Sequence, residues 1–554
     1  MIGLIAVTAA GRAAAGRLSA AWPEARCYDG PAAVAVPLAW QECDALVCFL
    51  AAGATVRLIA PLLESKATDP AVVAVDEATR WAVPLLGGHA RDANDLARRV
   101  AEMLGAEPVV TTATDARGVP GLDTLGWPVQ GAVAAVSRAI LDGEPVRFEA
   151  DATWPLPALP PNVGATGAVR LLVTDRLVDV DASTAVLRPP ALVVGIGASR
   201  GAPADEIEQL VVAALAGAAL SPLSVRHLAT VDAKAGEPGI VEVAKRRGWV
   251  VVTHPAERLA AVAVPNPSAA ALEAVGTPSV AEASALAQGG VLVVSKRKSA
   301  HATVAVARLR PRGRLALIGL GPGARDLLTP RAIDELRRAS VIVGLDQYVA
   351  QVADLLRPGA RVLASGMGAE EARARDAVEG ARAGHAVALI GSGDAGVYAM
   401  ASPALEFAGD DIDVVGVPGI TANLAAAALI GAPLGHDHAV ISLSDLHTPW
   451  DAIERRVRAA AGGDFVVTFY NPRSRGRDWQ LAKALGILAG HRPPGTPVAI
   501  VREASRPDES VHLGTLADVD IEDADMRSVV IVGNSNTRVV AGRVVTPRGY
   551  RWLG

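Results

Sequence analysis

Cysteine is scarce. Cys27, Cys43 and Cys48 are the only three in 554 residues, too few and too badly spaced for a disulfide frame or a zinc site, and a reducing, cytoplasmic setting is expected. Aromatic residues make up only 3 %, so the core has to be built mainly from Ala, Val and Leu. Neither sign of charge prevails: 53 Lys and Arg stand against 58 Asp and Glu, a net charge of −5. No basic tract or stripe of interleaved aromatics occurs, which argues against a nucleic-acid partner. The longest uncharged run, Val414–Gly435, is broken by Pro418, Asn423, Pro433 and several glycines. It divides into strand, loop and helix, and no membrane association is expected from it. The chain opens on a strand-like Met1–Val7 without a basic leader, so no secretory signal is expected.

What is present is globular material, 51 % apolar and 20 % charged, long enough for three or more domains. The strongest local signal is Leu315–Thr329, LALIGLGPGARDLLT. An apolar run of strand length ends in Gly319-Leu320-Gly321-Pro322-Gly323, a turn that glycine follows most easily. Thr329 and a periodic charged segment, Pro330–Arg338, read as a helix with proline in its first turn. Ala386–Ile390 is again a buried-strand pattern, broken by Gly391-Ser392-Gly393-Asp394-Ala395-Gly396-Val397-Tyr398. Ile412–Val417 gives way to Pro418-Gly419-Ile420-Thr421-Ala422, opening an Ala-rich helix, Ala422–Ile430. Strand ends that carry glycine turns imply one parallel sheet with ligand loops at its carboxyl edge.

LIGLGPGARDLLT, GSGDAGVYAM and VPGITA resemble the three cofactor loops of the tetrapyrrole methylases. SLSDLHTPWDAIERR (Ser442–Arg456) and YNPRSRGRDWQL (Tyr470–Leu481) narrow the resemblance to the precorrin-3B C(17)-methyltransferases of cobalamin synthesis, over roughly Gly313–Tyr550. It implies an S-adenosyl-L-methionine cofactor, held by Gly319, Gly321, Pro322 and Gly323 on one wall. Gly391, Gly393, Asp394, Val397 and Tyr398 form the main loop, and Thr421 and Ala422 come from the third. The implied acceptor is a tetrapyrrole, a precorrin or cobalt-precorrin edged with acetate and propionate. Such a polycarboxylate calls for guanidinium donors, and Arg473, Arg475 and Arg477 follow Asn471-Pro472 on one loop. Ring contraction accompanying methylation needs a general base; Asp445 and His447 are the candidates, His447 having the better-suited ordinary pKa. A homodimer through the methylase domain is the implied assembly.

The amino-terminal part alternates strand and helix patterns, with strands at Gly3–Val7, Ala45–Phe49 and Val72–Val75. Its most chemical stretch, Pro84–Ala97 (PLLGGHARDANDLA), sets His89 after two glycines at the mouth of a helix. His89 and Asp92 there read either as a helix cap or as part of a site. Asp142–Asn162 is proline-rich and is expected to be irregular, and Val169–Leu187 reads as short β runs. From Ala191 a further α/β unit begins with Gly195-x-Gly197-x3-Gly201. That spacing is one residue too long for a dinucleotide fingerprint, and no acidic residue follows at the required distance.

LLGGHARDANDLA, VGIGASRG, TVDAKAGEPG and KRKSA resemble the cobalt-precorrin-5A hydrolase family over residues 1–309, with Arg91-Asp92 departing from its pattern. The resemblance implies attack of water on a lactone carbonyl with release of acetaldehyde, which needs a base and oxyanion donors. His89 with Asn94, or Lys234 with Glu237, meet that need. The loop Ser295–His301, with Lys296, Arg297, Lys298 and His301, is expected to be a basic one.

The reading is therefore a multidomain α/β chain: a hydrolase-like domain over 1–135, a proline-rich linker and small β segment over 136–189, and a second hydrolase-like domain over 190–309. A two-lobed methylase domain follows over 313–554, with its cofactor lobe about 313–418 and its substrate lobe about 419–545. Two rivals remain: a non-catalytic tetrapyrrole-binding module before the methyltransferase, and a methylase-fold enzyme acting on RNA or protein.

Overall fold

The computed structural model describes residues 1–550 apart from 66–67, 89–90, 112–118, 120 and 475. The chain divides into two compact units, Met1–Ala152 with Leu159–Pro311, and Thr153–Ala158 with Arg312–Gly554.

Three sheets build the first unit. In the first, Ile2–Ala6, Ala45–Phe49 and Ala71–Val75 run parallel beside Ala25–Tyr28, and Trp81–Leu86 returns antiparallel. These are near-continuous apolar strands, as expected where both faces are covered. Helices Ala9–Ala21 and Ala93–Leu104 close one face, Ala32–Glu42 and Ala52–Ile59 the other. Because Trp81–Leu86 is reversed, the Gly87–Gly88 turn lies at the amino edge of the parallel strands, against Ala71.

The second sheet contains Val146–Ala150, a strand inside the stretch expected to be irregular; the prolines at 155–160 do lie outside every strand and helix, as their missing N–H groups require. The third orders Val250–His254, Val225–Val231, Leu192–Ala198, Ala302–Arg308 and Val291–Lys298. The expected basic loop is corrected here. The strand continues through Lys298 by means of two register shifts against Ala302–Arg308, so Lys296, Arg297 and Lys298 are strand residues, and only the turn before Ala302 is loop.

The second unit holds the glycine loops. Its first sheet is fully parallel, in the order Arg361–Ser365, Val341–Leu345, Ala386–Gly391, Arg314–Gly319, Asp413–Val417. Apolar clusters cover both faces. The three strands that end in glycine turns are adjacent, so topology alone brings their loops together. Thr329 caps the helix Pro330–Arg338 through its hydroxyl, which accepts from Ala332 N, as a Thr before proline at the first helical turn is suited to do. The second sheet is mixed: His438–Ser442 runs parallel to Val466–Tyr470, which is followed by Ser528–Val532, Pro497–Arg502 and Ser510–Thr515, all antiparallel to their neighbours. Helices Trp450–Gly462 and Gln480–Ala489 pack on one face and Ala422–Ile430 on the other. No helix among the described residues is long and apolar enough to cross a membrane.

Candidate active site

The three glycine loops meet as bare backbone. Gly321 and Gly393 exchange both hydrogen bonds, Gly321 N to Gly393 O at 3.0 Å and Gly393 N to Gly321 O at 2.7 Å. A Cβ on Gly419 would stand 2.1 Å from Gly393 O and 2.7 Å from Gly319 C. One on Gly319 would stand 2.6 Å from Gly393 O. No side chain fits at Gly319 or Gly419, whereas Gly393 has room for a Cβ but takes a positive φ (67°) that favours glycine. Asp394 completes the junction: its carboxylate accepts from Gly396 N at 2.8 Å within its own loop and from Gly419 N at 3.0 Å in the third.

A cavity of about 650 Å³ opens beside this junction, within the size range of small-molecule sites, and Pro322, Gly391, Gly393, Val397, Tyr398, Thr421 and Ala422 line it. Of the sequence candidates, those residues come together; Gly319, Gly321 and Asp394 stand behind them in the junction, and Gly323 stands against Arg506. The opposite wall comes from the second sheet, through Tyr470, Asn471, Glu503, Arg506, Met526 and Arg527. Three non-glycine residues of this wall and loop, Tyr398, Asn471 and Glu503, have left-handed backbone (φ 50°, 50° and 49°). Such strain costs about 1–3 kcal/mol apiece and collects at functional sites.

The two tyrosines link the lobes. Tyr398 donates its hydroxyl hydrogen to Val440 O at 3.0 Å and accepts from Ser442 N at 3.2 Å, and its ring centroid lies 5.4 Å from that of Tyr470. Tyr470 Oη lies 2.6 Å from Thr421 Oγ1 and accepts from Asn423 N at 2.9 Å. Burial raises the Tyr470 phenol above its ordinary value, against the opposing hydrogen bonds to Thr421 and Asn423. It is thus a neutral hydrogen-bonding group at neutral pH.

The arginine loop is used differently from the expectation. Arg477 is buried; its guanidinium donates to Leu443 O at 3.1 Å and to Asn471 O, with Met526 Sδ at 3.2 Å. That corrects its assignment as a carboxylate donor, because its N–H groups are occupied in building the loop. Arg473 pairs with Glu522 at 2.6 Å, and Arg475 lies outside the described residues. Asp445 and His447 are exposed on the loop after Ser442, outside the cavity wall, and Asp445 accepts from Gln480 Nε2 at 2.9 Å. Sequence reasoning missed Tyr470, Glu503, Arg506 and Arg527. Tyr470 was within reach, as the strand-end residue of the YNPRS motif.

In the first unit His89 lies outside the described residues. Asp92 takes left-handed backbone (φ 57°) at the start of helix Ala93–Leu104 and makes no side-chain cap. Glu237 is buried, accepts from Gly201 N at 2.6 Å and pairs with Lys234 at 3.1 Å. The Gly201 N–H, then Lys234, hold its carboxyl below the usual range. An anion so held fixes the turn between two strand ends better than it takes up a proton. Among the described residues no group of three His, Cys, Asp or Glu is gathered to hold a metal ion.

Comparison with known proteins places these features. The family model of the Tetrapyrrole (Corrin/Porphyrin) Methylases matches residues 314–520. Those of Cobalamin synthesis G, N-terminal and C-terminus, match residues 35–115 and 192–307. The chain is 48 % identical over 239 residues to the probable cobalt-factor III C(17)-methyltransferase of Salmonella typhimurium, covering 43 % of this chain and 99 % of the relative. It is 40 % identical over 249 residues to the precorrin-3B C(17)-methyltransferase of a Sinorhizobium species, covering 43 % of this chain and 97 % of that one. The chain spans about half the length of other curated relatives that it matches. Among solved structures, that of the methyltransferase CobJ is 43 % identical with a TM-score of 0.40, covering 42 % of this chain and 98 % of that one.

Proposed function

The chain belongs to the tetrapyrrole (corrin/porphyrin) methylases, and from that premise we propose that it methylates C-17 of precorrin-3B or cobalt-factor III in cobalamin biosynthesis. The observation that carries the reading is the junction of Gly319, Gly393 and Gly419 beside a 650 Å³ cavity. It offers close-approach backbone on one side and a polar, arginine-bearing wall on the other. S-adenosyl-L-methionine, when bound, supplies an already activated methyl group, so the protein needs no nucleophile. What its residues do is orient, and orientation is worth roughly 7–11 kcal/mol. The first and second loops would hold the cofactor through backbone, with Thr421 and Ala422 closing the third side. Tyr470 remains a neutral hydrogen-bonding group between the lobes. Arg527 is a cation that the second lobe presents to the cavity, and Arg473 and Arg475, which follow Asn471-Pro472 in sequence, are the further candidates for an acceptor rich in carboxylates. Asp445 and His447 are the candidates for the base that takes the alcohol proton in ring contraction.

The Cobalamin synthesis G matches support a second activity in the first unit, hydrolysis of a cobalt-precorrin-5A lactone with release of acetaldehyde. A dimer through the methylase unit is the expected assembly. The direct test of the methyltransferase is incubation of the full chain with radiolabelled S-adenosylmethionine and either precorrin-3B or cobalt-factor III. One label per macrocycle, at C-17, is expected with at least one of them, and no transfer to either would overturn the assignment.

A further inference from the structure

We infer that Arg506 is a positioning residue that fixes the distance between the two lobes across the methyl-transfer cleft; the inference rests on the methyltransferase reading for its consequence, not for its geometry. Arg506 stands on the turn after strand Pro497–Arg502, in the second lobe. Its Nε donates to Pro322 O at 2.8 Å and its Nη2 to Ser392 Oγ at 3.1 Å. Pro322 lies between Gly321 and Gly323, and Ser392 between Gly391 and Gly393. One planar guanidinium therefore joins the first and second glycine loops to the opposite lobe.

The root of this side chain is held as firmly as its tip. Arg506 Nη1 donates to Glu503 Oε2 at 3.2 Å, and Arg527 Nη1 donates to Glu503 Oε1 at 2.7 Å. Glu503 and Ser505 both carry left-handed backbone (φ 49° and 63°), conformations that persist only where the surroundings over-determine them. Gly323 is the seat on the other lobe: a Cβ there would stand 2.6 Å from Arg506 Cγ and 2.7 Å from its Nε. Tyr398 makes the converse connection, from the second loop of the first lobe to Val440 and Ser442 in the second. Two reciprocal links thus set one separation. Arg506 acts by geometry, through a guanidinium that offers donors in a fixed plane and no acceptor. Its donors diverge as a fork, which the single ammonium of lysine does not reproduce.

Reacting groups misplaced by an ångström lose about a hundredfold in rate. In the full chain, Arg506→Ala and Arg506→Lys are expected to lower kcat about 10- to 100-fold, with both KM values unchanged within about threefold. Lysine gives no rescue. Backbone amide exchange over residues 319–323 and 391–394, measured without any tetrapyrrole, rises about tenfold, as for one lost charge-assisted hydrogen bond. Exchange in helix Ala204–Gly217 of the first unit stays as it was. Gly323→Ala displaces the same guanidinium, and its effect combined with Arg506→Ala is smaller than the sum of the two. If Arg506→Ala does not fold, Arg506→Lys and Gly323→Ala carry the test. Unchanged amide exchange would overturn the inference, as would a tetrapyrrole KM that rises while kcat is kept. Should the unmodified chain transfer no methyl group, the exchange result still decides whether Arg506 joins the lobes.

Discussion

Burial keeps His227 neutral at acidities where an exposed histidine would take up a proton. It stands on strand Val225–Val231 with 4 % of its surface exposed, and its Nε2 meets no hydrogen-bond partner among the described residues. Burial first, then the charges of Arg226 and His254, push its pKa down to about 4, against about 6.5 in an unfolded chain. Between those values the unfolded chain binds more protons than the folded one. The stabilisation is therefore complete above about pH 6.5 and is lost as pH falls toward 4, about 3 kcal/mol at full extent. Calorimetry of the full chain should show the melting temperature of the first unit falling over that window, and His227→Leu should flatten the fall. An unaltered slope in the variant would assign the acid sensitivity elsewhere. At this scale the sequence conveys which groups are charged but not what they meet. Arg473 and Arg477 look alike on one loop. Yet Arg477 is enclosed by carbonyls of Leu443 and Asn471, whereas Arg473 pairs with Glu522. Leu443 and Glu522 are remote in sequence, so no local pattern announces either partner.

The glycine loops are elements whose chemistry is their lack of side chains, and their tolerance can be ranked. Gly419→Ala places a methyl group 2.1 Å from Gly393 O, a contact only a backbone shift can relieve. Its affinity for S-adenosylhomocysteine, measured by calorimetry, is expected to fall at least about tenfold, with the far-ultraviolet circular dichroism unchanged. Gly486→Ala in helix Gln480–Ala489 is the control, since a Cβ there meets nothing within 4 Å, and it should add up to about 1 kcal/mol of stability. Full affinity in Gly419→Ala would mean that the loop junction is not a cofactor wall. Elements were legible wherever local pattern and tertiary demand agree. Helices Pro330–Arg338 and Ala422–Ile430 begin and end where the sequence pattern puts them, the first with Thr329 as its side-chain cap. The strand before the first loop, Arg314–Gly319, starts one residue earlier than its apolar run because Arg314 N bonds His385 O and its side chain pairs with Glu335. The basic stretch Lys296–Lys298 was not legible as strand. What keeps it in the ladder is a pair of register shifts against a partner strand, and charge alone gives no sign of them.

For the whole molecule the open question is whether one chain performs two reactions. The methylase unit and the unit before it have separate apolar cores, so damage to a side chain of the first need not reach the second. A hydrolase in residues 1–309 predicts acetaldehyde from a lactone-bearing cobalt-precorrin, and a carrier module predicts none. The Gly87–Gly88 turn that precedes His89 lies at the amino edge of its parallel strands, whereas open parallel sheets usually present ligand sites at the carboxyl edge. Lys234 and Glu237 occupy such a carboxyl edge, just after strand Val225–Val231. Their pairing leaves Glu237 anionic and so a weak proton acceptor. That balance keeps His89 as the first residue to change, histidine being the side-chain type whose unperturbed pKa suits the activation of water near neutrality. His89→Ala is expected to abolish acetaldehyde release, about 100-fold or more for a lost general base, while C-17 methylation by the same preparation stays within about twofold. Acetaldehyde release surviving in His89→Ala but lost in Lys234→Ala would move the site to the carboxyl edge. No acetaldehyde from the unmodified chain, with methylation intact, would leave the first unit as a tetrapyrrole-binding module.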